Sequence, residues 1–258
     1  MDITRRKVFV GAAAVAASGM VTPNAVSTTV SPATPVAKKL KIVVAGGHPG
    51  DPEYGCGGTI ATLTGLGHQA VLLYLNDGAW PPTPASTRSA EAKRACEILG
   101  ARRLYAAQQN GHAVVDNAAY DAFAALIRAE APDALFTQWP LDNHRDHRAT
   151  ATLCYDAWVK LGKRFALYYY EVSNGEDTMQ FAPTRYVDIS AAETRKRAAC
   201  YAHASQTPDR YYSLQDQVAQ FRGLENGCVR AEAFIWQLQS PFDILSSLGA
   251  EANSVQPR

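Results

Sequence analysis
Apolar and polar positions fall in blocks along this chain, and the blocks switch between strand-like and helix-like spacing. Leu40–Ala45 is a continuous apolar run ending in two glycines, which predicts a buried strand meeting a tight loop. Gly58–Leu66 reads as a short helix. Ala70–Leu75 (AVLLYL) predicts a second buried strand, stopped by Asn76-Asp77-Gly78. Pro81, Pro82 and Pro84 mark a loop, and Ser89–Leu99 carries helical spacing up to a stop at Gly100. Arg103–Ala106 is a weaker third strand. Asp116–Ala129 predicts a helix capped by Asp116. A strand at Ala134–Thr137, a helix at Arg148–Leu161 stopped by Gly162, and a strand at Phe165–Tyr170 follow. Tyr186–Ile189 reads as a further strand. Ala191–Ala204 reads as a helix with Ser190 and Glu193 at capping-box spacing.

Strand and helix alternate from residue 40 to about 170. That pattern predicts an α/β fold: a Rossmann-like three-layer sandwich around a mostly parallel, doubly wound sheet. In the order 3-2-1-4-5, strands one and four are neighbours at the switch point, where such sheets bind ligands. Two unusual segments follow those two strands. One is Gly46-Gly47-His48-Pro49-Gly50-Asp51-Pro52-Glu53, the other Asp142-Asn143-His144-Arg145-Asp146-His147-Arg148-Ala149-Thr150. Topology alone therefore predicts that they share one site.

Composition narrows the function. The net charge is +1 and there is no basic block, which argues against nucleic acid as a partner. Five cysteines without CxxC spacing argue against a disulfide framework and a cysteine-rich zinc site. Thr4-Arg5-Arg6-Lys7 precedes a short alanine-rich stretch too short to span a bilayer. This resembles a twin-arginine signal and predicts export to a periplasmic or extracellular location. Residues 1–37 are thus read as signal peptide and linker, 38–240 as one enzyme domain, and 241–258 as a loose polar tail. No stable membrane span is expected after cleavage.

Each chemical motif has a bland reading as well. Asp51 is either a metal ligand or the cap of the following helix, and Asp146 either a functional carboxylate or an N-cap. Imidazole and carboxylate grouped at two loops is nevertheless how a chain supplies N/O ligands to zinc. His144 can change charge near neutral pH. The first loop lacks GxGxxG and the Lys-Ser/Thr ending, so a dinucleotide or P-loop site is not supported. Trp80 and Trp139, each just past a strand and beside proline, are candidate sugar platforms. His203 is either a packed helix histidine or a pocket residue. Tyr168-Tyr169-Tyr170 reads as strand core, and His68 and His112 suggest no role.

The two loops resemble the paired motifs of the PIG-L/LmbE-like family of zinc-dependent de-N-acetylases. That family reads roughly A-H-P-D-D-E and H-P-D-H-x-A-T. The likeness extends through Tyr201-Ala202-His203-Ala204-Ser205-Gln206 to Phe234. It implies that His48, Asp51 and His147 bind Zn2+. It also implies that His144 stabilises the oxyanion or protonates the leaving amine, and that Asp146 orients His144. The substrate implied is an N-acetylated amino sugar of the N-acetylglucosamine type, free or in a glycoconjugate. One departure matters: the family's general-base Asp is Gly50 here. Either Glu53, Asp77 or Asp142 takes the proton, or the site works without a strong base at a cost of roughly a hundredfold to ten-thousandfold. The remaining reading is an exported zinc- and carbohydrate-binding protein without turnover.

Overall fold
The computed structural model describes residues 38–172, 177–246 and 248. The expected signal peptide and linker at 1–37 lie outside the described residues, as do residues 249–258 of the expected tail. The strands are β1 (Lys41–Gly46), β2 (Gln69–Asn76), β3 (Arg102–Gln108), β4 (Ala134–Gln138), β5 (Ala166–Tyr170), β6 (Arg185–Asp188) and β7 (Ala231–Trp236). The helices are α1 (Asp51–Gly65), α2 (Ala85–Leu99), α3 (Asn117–Glu130), α4 (Arg145–Lys160), α5 (Glu193–Tyr201) and α6 (Pro208–Asn226).

The sheet order is β3-β2-β1-β4-β5-β7-β6. The first five strands run parallel in the predicted 3-2-1-4-5 order. β7 is antiparallel to both β5 and β6. Alternate residues of β1 enter different cores. Ile42 and Val44 pack toward α1, α2 and α5, while Val43 and Ala45 pack toward α3 and α4. This is the three-layer arrangement that burial on both faces requires.

Helix α1 begins at Asp51, seven residues before the expected start. Glycine density disguised it. A Cβ at Gly55 would stand 2.4 Å from the Tyr170 ring, and one at Gly58 would stand 2.6 Å from Ile189. These glycines let the helix lie close on β5 and on the segment after β6. Pro52 in the first turn removes an N–H that no intrahelical carbonyl would accept.

Helix α4 also starts early, at Arg145 rather than Arg148, with His144 as its cap. The Asp116 cap of α3 is present, accepting the Ala119 N–H at 2.8 Å. The Ser190–Glu193 capping box is not. The Ser190 hydroxyl donates to Asp188 at 2.6 Å, and Glu193 accepts from Tyr212 at 3.0 Å.

The tail expected from residue 241 is packed as far as Leu248. Ile244, Leu245 and Leu248 are buried, and the Tyr168 hydroxyl donates to Asp243 at 2.6 Å. All five cysteines are free, and four are buried. Among the described residues no helix is long and apolar enough to cross a membrane.

Candidate metal centre and cavity
β1 and β4 are hydrogen-bonded neighbours, so the loops beyond their carboxyl ends meet. The His48–Asp51 turn leaves β1 and enters α1, and the Asp51 N–H closes it on the His48 carbonyl at 3.2 Å. Oδ2 of Asp51 is the hub of the centre. It lies 3.2 Å from His48 Nδ1 and 3.1 Å from His147 Nε2. It also accepts the His48 backbone N–H at 2.8 Å and the Gln138 amide at 2.9 Å. The Gln138 amide oxygen takes the Gly47 N–H at 2.9 Å, so the end of β4 ties down both halves of the turn.

A second carboxylate backs each histidine. Asp146 Oδ2 lies 3.2 Å from His48 Nε2, and Asp142 Oδ1 lies 3.0 Å from His147 Nδ1. Carboxylates on the far nitrogens fix the tautomers and leave His48 Nδ1 and His147 Nε2 as the lone pairs converging beside Asp51. His144 joins them: ligand atoms of His48, His144 and His147 lie within 4.8 Å of one another. The donor set suits a divalent ion such as zinc.

Electrostatics agree with the geometry. Burial opposes ionisation of Asp51, yet His147 and His48 hold its carboxyl well below the usual range. Burial also disfavours a charged His147, but Asp51 and Asp142 raise it to about 10. The two carboxylates thus favour a positive charge at this point. Burial and the charges of His147 and His48 lower the pKa of His144.

His144 and Asp146 are arranged differently from expectation. The Asp146 carboxylate does not orient the His144 ring. It serves His48, and accepts the Gly111 N–H at 2.8 Å and the Asn76 amide at 3.3 Å. His144 meets Asp146 only through the backbone, where its Nδ1 accepts the Asp146 N–H at 3.2 Å. That bond leaves the ring hydrogen on Nε2. The centre sits in a cavity of about 940 Å³ that also touches Arg88, Tyr54, His203 and Trp80.

A family model described as GlcNAc-PI de-N-acetylase (PIG-L) matches residues 43–158. The diacetylchitobiose deacetylase of Thermococcus kodakarensis is 29% identical over 187 residues, covering 65% of this chain and 70% of the relative. A conserved protein of Thermus thermophilus superposes with a TM-score of 0.68 at 26% identity, covering 80% of this chain and 96% of that one. These findings support the PIG-L/LmbE family for this chain. The fold also carries other chemistry. The 4-carboxy-2-hydroxymuconate hydratase of Pseudomonas putida superposes with a TM-score of 0.69 at 20% identity, covering 80% of this chain and 99% of that one.

Against the PIG-L/LmbE pattern, the Gly50 corner stands apart. Gly50 has φ of +113°, a backbone angle an aspartate adopts only under strain. None of the three alternative acids lines the main cavity. Glu53 is fully buried, and its oxygens accept from Tyr74 at 2.7 Å, meet His203 Nε2 at 2.9 Å and accept from the Gly50 N–H at 3.1 Å. Asp142 stands behind His147. Asp77 accepts the Ala79 N–H in its own turn at 2.9 Å.

The remaining candidates divide. Trp80 is 64% exposed at the cavity rim. Trp139 is not a sugar platform: it is buried, edge-on to Phe181 at 5.9 Å, and lies off the cavity wall. His203 reaches the wall but is fully buried. His112, given no role from sequence, also lines the cavity.

Gln138 and Arg88 were missed as well. Arg88 is 2% exposed and donates to the Pro49 carbonyl at 2.6 Å. Its Nη1 lies 3.7 Å from Glu91, beyond hydrogen-bond reach, so Nε and Nη1 both keep unspent hydrogens. A lone helix arginine carries no motif. The usable signal was a guanidinium four residues past the proline-rich loop, at the start of a helix that must face the site.

Proposed function
We propose that this chain is a zinc-dependent hydrolase that removes the N-acetyl group from an amino sugar of the N-acetylglucosamine type or from its glycoconjugate. The observation that carries this reading is the convergence of His48, Asp51 and His147 on one point of the cavity wall, in a chain of a de-N-acetylase family. The relative that acts on diacetylchitobiose favours an amino-sugar substrate. A divalent ion held by these three residues supplies an electrophile and acidifies water toward neutral pH.

The chain's own residues do the rest. Asp146 and Asp142 hold the two imidazoles in the tautomers that present lone pairs. His144, neutral and carrying its hydrogen on Nε2, donates to the carbonyl oxygen as negative charge develops there. Arg88 offers its unspent N–H groups to sugar hydroxyls. The reaction proceeds without a carboxylate at position 50, at a reduced rate. The resemblance of Thr4-Arg5-Arg6-Lys7 and the alanine-rich stretch after it to a twin-arginine signal supports an activity outside the cytoplasm.

A second reading rests on Gly50: an exported zinc- and carbohydrate-binding protein without turnover. Acetate release from a panel of N-acetylated amino sugars separates the two, with a chelated control. Chelator-sensitive release supports the hydrolase. Sugar binding without release by folded, zinc-loaded protein supports the binding protein.

A further inference from the structure
Strand β4 is buried along its whole length, and its last residue, Gln138, is fully buried. A carboxamide taken out of water costs free energy unless its polar ends are bonded. Strand alternation explains where this one points. Ala134 and Phe136 pack into the core shared with α1, so Gln138, two residues further on, meets the first turn of the same helix. Both ends are bonded there, and the network leaves the amide one orientation. The Gly47 N–H can only donate, so the Gln138 oxygen faces it, at 2.9 Å. The Gln138 nitrogen then donates to Asp51 Oδ2, also at 2.9 Å. Gly47 permits this approach: a Cβ there would stand 3.0 Å from His147 Cδ2 and 3.3 Å from Asp51 Oδ2. The Gly47 carbonyl accepts the Asn76 N–H at 3.1 Å, which extends the strap to the end of β2.

One oxygen of Asp51 thus carries the contacts that define the hub. Oδ2 accepts the His48 N–H at 2.8 Å and the Gln138 amide, and it is the oxygen beside both ring nitrogens. Two N–H donors on one carboxylate oxygen, the second held from a rigid strand, stop the carboxyl group from turning about its last bond. A carboxylate fixed in that way offers a cation a single oxygen. Four-coordinate zinc needs no more than that. Manganese, which prefers six ligands rich in oxygen, gains from a carboxylate free to turn and bind through both oxygens.

We propose that Gln138 is a positioning residue that holds Asp51 as a one-oxygen ligand and so tilts the site toward zinc over manganese. This rests on the zinc reading of the site and is independent of the substrate. A ligand oriented before the ion arrives also reduces the ordering cost of binding it.

The test titrates metal-free protein with Zn2+ and with Mn2+, each alone against a chelator, for the wild type, Gln138→Met and Gln138→Asn. Methionine keeps the length and removes both donor and acceptor. Asparagine keeps the amide but is one methylene too short to meet both partners. In Gln138→Met, zinc affinity is expected to fall about tenfold to a hundredfold. Manganese affinity should fall by no more than about threefold, so the preference for zinc narrows. Gln138→Asn should narrow it in the same direction, and guards against misfolding of the first variant, which circular dichroism detects. Equal losses for both ions would mean that Gln138 only ties down the turn, and unchanged affinities that Asp51 needs no strap. Either result overturns the proposal while leaving the zinc reading in place. A folded wild type that binds no zinc would instead refute the zinc reading, and this assignment with it.

Discussion
At the His147 corner of the cavity Asp146 and Asp142 each stand beside an imidazole whose other nitrogen faces Asp51. At the Gly50 corner, on the opposite side of the same turn, the polar groups are spent on one another. Glu53 bonds Tyr74, His203 and the Gly50 N–H, and no carboxylate besides Asp51 lines the cavity. We read the first corner as a binding corner and the second as one that holds α1 in place. On the proposed reading, metal binding and proton abstraction, joined in the family pattern, become separable in this chain.

The largest expected effect falls on the binding corner. Asp51→Asn removes the hub charge and should weaken zinc binding by roughly a thousandfold, about 4 kcal/mol. A competition titration against a chromophoric chelator measures it, with circular dichroism as the check on folding. Retained affinity would mean that the three histidines form the site without Asp51.

Glu53→Ala probes the other corner. It strands the partners of a fully buried carboxylate and should cost about 3 kcal/mol of stability, read as a drop in melting temperature. The folded fraction should keep its zinc affinity. Lost activity at unchanged stability would make Glu53 the missing base and erase the contrast.

Much of that contrast was legible in the sequence. Apolar runs marked the five parallel strands and their order, and chain topology alone put His48, Asp51 and His147 together. Other parts were hidden for physical reasons. Helix α6 buries Tyr212, Gln215, Ala219 and Arg222 on one stripe, and two polar members make that stripe invisible to hydrophobic spacing. The start of α1 was masked by glycines needed for close packing. Trp139 and Trp80 look alike in sequence, each beside proline, yet one packs against Phe181 and is buried while the other stays exposed. The partner of Asp146 depended on which imidazole its helix turn faces, and spacing does not encode that.

Asp146→Asn and Asp142→Asn should each weaken zinc binding by roughly tenfold to a hundredfold, because they loosen a ligand without removing it. A loss at Asp146 that appears in turnover and not in affinity would return that carboxylate to His144.

The smallest effect is a proton count. In the metal-free protein the raised pKa of His147 stabilises the fold fully below about 6.5, its unfolded value, and the contribution is lost as pH rises through about 10. Zinc requires the neutral ring. Loading at about pH 7.5 should therefore release a proton from His147, seen as a buffer-dependent binding enthalpy. Loading without proton release would place His147 outside the ligand set.

The most direct test is a stepwise zinc titration of metal-free protein, following acetate release from an N-acetylated disaccharide against zinc bound. A zinc hydrolase with Asp51 at its hub should give release that rises in proportion to occupancy up to one ion per chain and is absent in Asp51→Asn. Full occupancy without acetate, or release that survives chelation, would contradict that assignment.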